Sequence, residues 1–165
     1  MPTDPAKVLI LCTGNSCRSI MAEALLNHVG NDRFRAWSAG SSPAGYVHPH
    51  SITTLKRQGI DPGRPYSKSW NEFAGQRFDL VITVCDQAVG EQCPIFPGGP
   101  ARLHWNIPDP AKAHGSEADI EAAFNGVLLL LKEHIETLIH SVGLQHILKY
   151  AGSHAGRSKY PEKEH

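Results

Sequence analysis

Hydrophobic positions fall along the chain in short continuous runs separated by stretches of helical period. The run Val8-Leu9-Ile10-Leu11 has no polar alternation, as expected of a strand buried on both faces. Small polar residues follow, and then Ile20, Ala24, Leu25 and Val29 recur at helical spacing up to Gly30, which is expected to stop the helix. Phe34-Arg35-Ala36-Trp37-Ser38-Ala39 reads as a second strand, closed by Gly40 and the turn-rich residues 41–45. A helix is predicted over residues 50–58, ended by Gly59, and a short helical turn over residues 70–74. The β-branched and apolar run Leu80-Val81-Ile82-Thr83-Val84 predicts a third strand. Residues 85–100 form a loop rich in Gly, Pro and polar residues, and residues 102–105 a fourth strand. Ser116 stands where it can cap a long helix whose apolar face is Ile120, Phe124, Val127, Leu128, Leu131, Ile135 and Leu138.

Strands alternating with helices predict an α/β fold around a central parallel sheet. Ligands bind such sheets beyond the carboxyl ends of the strands. That gathers Cys12, Cys85 and the segment after Trp105 on one edge. Residues 151–165 are polar and aperiodic and are expected to fray as a flexible tail, which leaves residues 1–150 as a single domain.

Composition narrows the function classes. At 165 residues the chain can bury one core, and 41% hydrophobic with 19% charged residues is ordinary for a globular protein. Sixteen basic and sixteen acidic residues balance, so no nucleic-acid footprint is expected and any anion site must be local. Residues 1–7 lack the apolar region of a signal peptide, and no apolar run approaches the roughly 20 residues that span a bilayer. The expectation is a cytoplasmic protein with no membrane partner. In that compartment four cysteines read as reactive thiols or metal ligands rather than staples. A zinc site is disfavoured, because no close Cys-x2-Cys pair accompanies Cys85 or Cys93 and the histidines are scattered.

The segment Cys12-Thr13-Gly14-Asn15-Ser16-Cys17-Arg18-Ser19 runs from a strand end into a helix. Backbone N–H groups of such a turn, with the helix N-terminus, form a cradle for a tetrahedral anion. Residues Thr13 to Cys17 would supply those groups, and the planar fork of Arg18 would hold two oxygens. Gly14 is expected to let the chain approach the ligand closely. The same positive field favours a thiolate at Cys12, to which Ser19 can donate, while Asn15 pins the loop. Cys17 is given no chemical role beyond its backbone, its side chain being expected to point away.

This loop, continued by Met21-Ala22-Glu23-Ala24, resembles the low-molecular-weight protein tyrosine phosphatase superfamily, and within it the arsenate reductase branch. Trp37-Ser38-Ala39-Gly40, Gly59-Ile60-Asp61, Ser67-Lys68-Ser69, Val84-Cys85-Asp86, His104-Trp105 and Asp109-Pro110 extend the resemblance in order over residues 7–140. It implies a three-layer sandwich with a four-stranded parallel sheet. It also implies that Cys12 is the nucleophile and Asp109 the general acid, in a loop stiffened by Pro108 and Pro110.

The resemblance further implies that oxidation passes from Cys12 to Cys85 and then to Cys93. The resulting disulfide would be reduced by an external dithiol, with thioredoxin implied and glutaredoxin or a small thiol as alternatives. The substrate would be arsenate, with phosphate or sulfate competing, in a monomer without a bound cofactor. Phosphatase-type members are similar to Asp-Pro-Tyr at the acid loop, whereas this chain has Asp109-Pro110-Ala111-Lys112 and lacks that aromatic platform. A phosphatase needs Cys12, Arg18 and Asp109 alone and remains the alternative; a non-catalytic oxyanion sensor is the third reading. Some family members hold potassium near the loop, where Asn15, Glu23 and Ser38 match three contributors. Lys68 stands where those members have an acid, so no bound metal is expected, the ammonium neutralising Glu23 instead.

Overall fold

The structure, a computed structural model, describes residues 4–84 and 96–141. Strands β1 (Ala6–Cys12), β2 (Phe34–Gly40), β3 (Leu80–Thr83) and β4 (Ala101–His104) form one sheet of order β2-β1-β3-β4. Every pairing is parallel, with Cys12 opposite Gly40 and Leu11 opposite Thr83. β1 is central, which explains why its run is apolar without alternation. Val8, Ile10 and Cys12 face one core cluster, and Leu9 and Leu11 the other. Each of these Val, Leu and Ile side chains contributes about 1.5–3 kcal/mol on full burial.

Helices α1 (Arg18–Gly30), α2 (Pro49–Arg57) and α3 (Glu117–His140) contact one another, and α1 and α3 join the cluster that contains Val8 and Ile10. The predicted stripe on α3 is that packing face: Phe124, Val127, Leu128, Leu131, Ile135 and Leu138 are buried, while Ile120 is partly buried. Ser116 caps α3 in a reciprocal pair, its hydroxyl accepting from Asp119 N while Asp119 Oδ2 accepts from Ser116 N. The other face of the sheet carries Trp70, Phe73, Phe78 and Phe96, with a 3-10 turn over Trp70–Phe73. Phe78 makes edge-on contacts with Phe73, Phe96 and Trp37.

Gly30 does sit at the end of α1, though not as a left-handed cap. Its φ is −78°, and the chain continues into a 3-10 turn, Asn31–Arg33. A Cβ there would lie 2.8 Å from Phe34 Cβ, so the glycine serves the tight entry into β2. Gly59, at φ +75°, is the left-handed stop that the sequence suggests after α2.

Candidate active site

β1 delivers Cys12 to the carboxyl edge of the sheet, and residues 12–18 curl there before α1 begins. What turns this stretch into a cradle is the fate of its carbonyls. Cys12 O accepts from Ser41 N, Thr13 O from Ser42 N, and Gly14 O from Ala44 N and Ser67 Oγ, at 2.9–3.1 Å. Ser16 O accepts from His48 N and from the Ser51 hydroxyl. These bonds to residues 41–51 and Ser67 hold the loop in its curl. Residues 41–45, which the sequence marks only as turns, are therefore the mould of the loop.

The sharp bend falls on Asn15, at φ +49°, rather than on Gly14. Gly14 has ordinary space around it: a Cβ there would come no nearer than 3.9 Å to any other atom. Asn tolerates the left-handed region better than most side chains, and its amide is put to use by being there. Asn15 Oδ1 accepts from Lys68 N at 3.0 Å, which fixes the amide's orientation. Its Nδ2 then donates to Ser19 Oγ at 2.8 Å and to Ser38 Oγ at 3.0 Å. Each serine, its oxygen already accepting, has one hydrogen left to give. Ser38 gives it to Glu23 Oε1 at 2.5 Å, and Ser19 Oγ lies 2.9 Å from Cys12 Sγ, to which it can donate when the sulfur is a thiolate. Asn15 N also donates to Cys12 Sγ at 3.2 Å. Two groups able to donate thus lie against the sulfur, and each would favour a thiolate over a thiol.

One glycine and one lysine hold this network in place. A Cβ on Gly40 would collide with Thr13 O and lie 3.1 Å from Asn15 N, so β2 can approach the loop only as glycine. Lys68 is buried, and its ammonium donates to Tyr66 O at 2.8 Å, Ser38 O at 3.0 Å and Asn15 Oδ1 at 3.5 Å. It also lies over the Tyr66 ring, 4.4 Å from the centroid. Burial pushes its pKa down, opposed by the fields of Glu23 and Glu72. Glu23 is pushed up by burial, opposed by the Ser38 hydrogen bond and by Lys68. Lys68 therefore acts on Glu23 through its field, while its hydrogen bonds go to carbonyl oxygens and an amide. Ser38 O and Asn15 Oδ1 already have this ammonium as their cation, and the residues do not fit a bound potassium ion.

The opposite wall of the cleft is the acid loop. Arg18 Nη1 donates to Ile107 O at 3.2 Å and Nη2 lies 3.5 Å from Asp109 Oδ2. Asp109 Oδ1 accepts from Ala111 N and caps the 3-10 turn Pro110–Lys112. Asp109 and Cys12 thus face one cleft, lined also by Asn106 and Lys112. Cys17 is buried in the helical-side core with its thiol pushed up by burial, so the loop contributes its backbone at that residue. Cys85 and Cys93 lie outside the described residues. The described chain reaches Val84, whose N–H bonds to Leu11 O, the residue before Cys12.

Cys12 therefore heads a loop at the carboxyl edge of a parallel sheet and faces Arg18 and Asp109 across one cleft. The chain belongs to the low molecular weight phosphotyrosine protein phosphatase family, which matches residues 7–148. An arsenate reductase of Halalkalibacterium halodurans is 37% identical over 130 residues, covering 79% of this chain and 92% of the relative. The solved structure of an arsenate reductase in the phosphate binding state matches with TM-score 0.65 at 29% identity, over 81% of this chain and 96% of that one. A thioredoxin-dependent arsenate reductase of Corynebacterium glutamicum matches with TM-score 0.56 at 26% identity, over 82% of this chain and 64% of its own.

Proposed function

We propose that this chain reduces arsenate to arsenite. The observation that carries the first step is the Cys12 sulfur at the base of the loop, accepting from Asn15 N and in contact with the Ser19 hydroxyl. Residues Thr13 to Cys17 offer backbone N–H groups to the arsenate oxygens, and Arg18 binds two of them, exchanging its contact with Asp109 for the ligand. The thiolate attacks arsenic and forms a sulfur–arsenic bond, while Asp109 as acid protonates the departing oxygen, which leaves as water. The Cys85 thiolate then attacks Cys12 Sγ. A Cys12–Cys85 disulfide forms, the sulfur–arsenic pair stays on arsenic, and arsenite departs with arsenic reduced by two electrons. Cys93 attacks Cys85, frees Cys12, and leaves a Cys85–Cys93 disulfide that an external dithiol of the thioredoxin class reduces.

The two further cysteines separate this reading from a phosphatase, and the arsenate reductases among the relatives support it. Weak phosphoester hydrolysis is expected beside it because the first step is shared. No helix among the described residues is long and apolar enough to cross a membrane. We read the protein as a cytoplasmic monomer with one catalytic domain and without a bound cofactor; the tail expected over residues 151–165 lies outside the described residues.

Mass spectrometry of the free thiols before and after one arsenate turnover tests this directly. A Cys85–Cys93 disulfide formed only with arsenate is the expected product. Coupled NADPH oxidation with thioredoxin and its reductase should be lost in Cys12→Ser, Cys85→Ser and Cys93→Ser. Full multiple turnover by Cys93→Ser with thioredoxin alone overturns the relay. Phosphoester turnover far above arsenate turnover returns the chain to the phosphatases.

A further inference from the structure

The cleft that holds Cys12 has a second cation on its wall. Lys112 lines it together with Arg18 and Asp109. Arg18 is tied to Ile107 O and Asp109, whereas the Lys112 side chain is exposed and makes no ion pair among the described residues. Its place is set by chemistry already in the site. Asp109 Oδ1 caps the turn through Ala111 N, and Lys112 N donates to Asp109 O at 3.2 Å. The backbone that positions the acid thus also places Lys112 at the cleft wall. Over the whole chain charge balances, with 16 basic and 16 acidic residues, so no global field draws in an anion. The charges lining the cleft must do it.

We infer that Lys112 is the entry cation of the cleft, a specificity-determining residue that raises the local concentration of small oxyanions before Arg18 and the loop take them. This rests on the oxyanion-site reading above. An exposed ammonium acts on an approaching anion through its field, and so it acts on association and is screened by salt. A doubly charged inorganic oxyanion gains more from it than a singly charged or neutral competitor. Where the related phosphatase pattern has an aromatic platform after Asp-Pro, this chain offers Ala111 followed by a charge.

The test compares alkylation of Cys12 by iodoacetate, an anion, and iodoacetamide, its neutral analogue, read at the Cys12 site by fragmentation mass spectrometry. Near 10 mM ionic strength, where the screening length is about 30 Å, Lys112→Ala should lower the iodoacetate-to-iodoacetamide rate ratio by roughly threefold or more. Lys112→Glu should lower it further, Lys112→Arg should restore it, and the differences should shrink at 0.15 M, where screening acts within about 8 Å. Lys132→Ala, on α3 and outside the cleft lining, is the control. For arsenate, kcat/KM should fall in parallel with the ratio and with the same salt dependence, the loss lying in KM. A ratio unchanged in both Lys112→Ala and Lys112→Glu overturns the inference, as does a loss confined to kcat or insensitive to salt. If the ratio responds as expected while the unsubstituted protein turns over no arsenate, the entry cation stands and the reductase reading falls.

Discussion

Removing the Ser19 hydroxyl tests the proton bookkeeping around Cys12. In Ser19→Ala the sulfur loses a donor at 2.9 Å, and one Asn15 Nδ2 hydrogen loses its acceptor. A hydrogen bond to a charged group contributes about 1.5–3 kcal/mol. At about 1.36 kcal/mol per tenfold in rate, kcat/KM should fall by about 10- to 150-fold. The rate of Cys12 alkylation by iodoacetamide near neutral pH should fall with it, because the thiolate is the reacting form.

Asn15→Asp makes a stricter companion. Its carboxylate keeps an acceptor for Lys68 N but has no hydrogen to give, so the hydroxyls of Ser19 and Ser38 turn toward it. Ser19 then has nothing left for Cys12. If Asn15 acts through Ser19, Asn15→Asp costs much less in the Ser19→Ala background, where only its added charge still acts. A coupling of about 1 kcal/mol or more is expected from such a contacting pair. Equal factors in both backgrounds, with thermal midpoints showing both proteins folded, refute the directed chain of donors.

Three further outcomes follow from the same geometry. Gly40→Ala forces a methyl against Thr13 O and Asn15, so overpacking of about 1–3 kcal/mol should lower the thermal midpoint and raise KM for the oxyanion; an unchanged midpoint and KM contradict the close approach. Activity and melting temperature should be the same in potassium and sodium chloride, because Lys68 already bonds Ser38 O and Asn15 Oδ1; stimulation by potassium alone counts against this. His48 Nδ1 accepts from His50 N as the cap of α2, and burial, followed by the field of His50, holds the His48 pKa below 6.5 against the pull of Asp109. The unfolded chain then binds the proton first, so His48 contributes stability present above about pH 6.5 and lost as pH falls toward the depressed value. Denaturant midpoints of the unsubstituted protein should drop relative to His48→Asn, which keeps a capping acceptor, over that interval; a constant difference from pH 5 to 7.5 refutes the linkage.

Much of this arrangement could be read from local pattern. The run Val8-Leu9-Ile10-Leu11 carries no polar alternation because β1 is central and buried on both faces, and the stripe on α3 is its packing face. Cys12 and Arg18 stand out because a strand end, a short polar loop and a helix start succeed one another there. What local pattern misses are contacts between distant segments. Gly30 ends α1 as its position suggests, but that its lack of a side chain also makes room for Phe34 is not visible locally. Residues 41–45 carried only turn residues, and nothing in them announces that their N–H groups seize the loop carbonyls.

Asn15 makes the point most sharply. A polar residue in the loop is visible in the sequence, and so are two serines that could bond to it. Which way the hydrogens run is decided by Lys68 N, 53 residues away, because that donor claims Asn15 Oδ1 and leaves only Nδ2 for the serines. With the amide turned over, its oxygen would claim the Ser19 hydrogen and leave none for Cys12. The residues of the oxyanion loop can hold either arrangement; the fold, by setting Lys68 N against Asn15 Oδ1, selects the one in which the Ser19 hydrogen is available to Cys12.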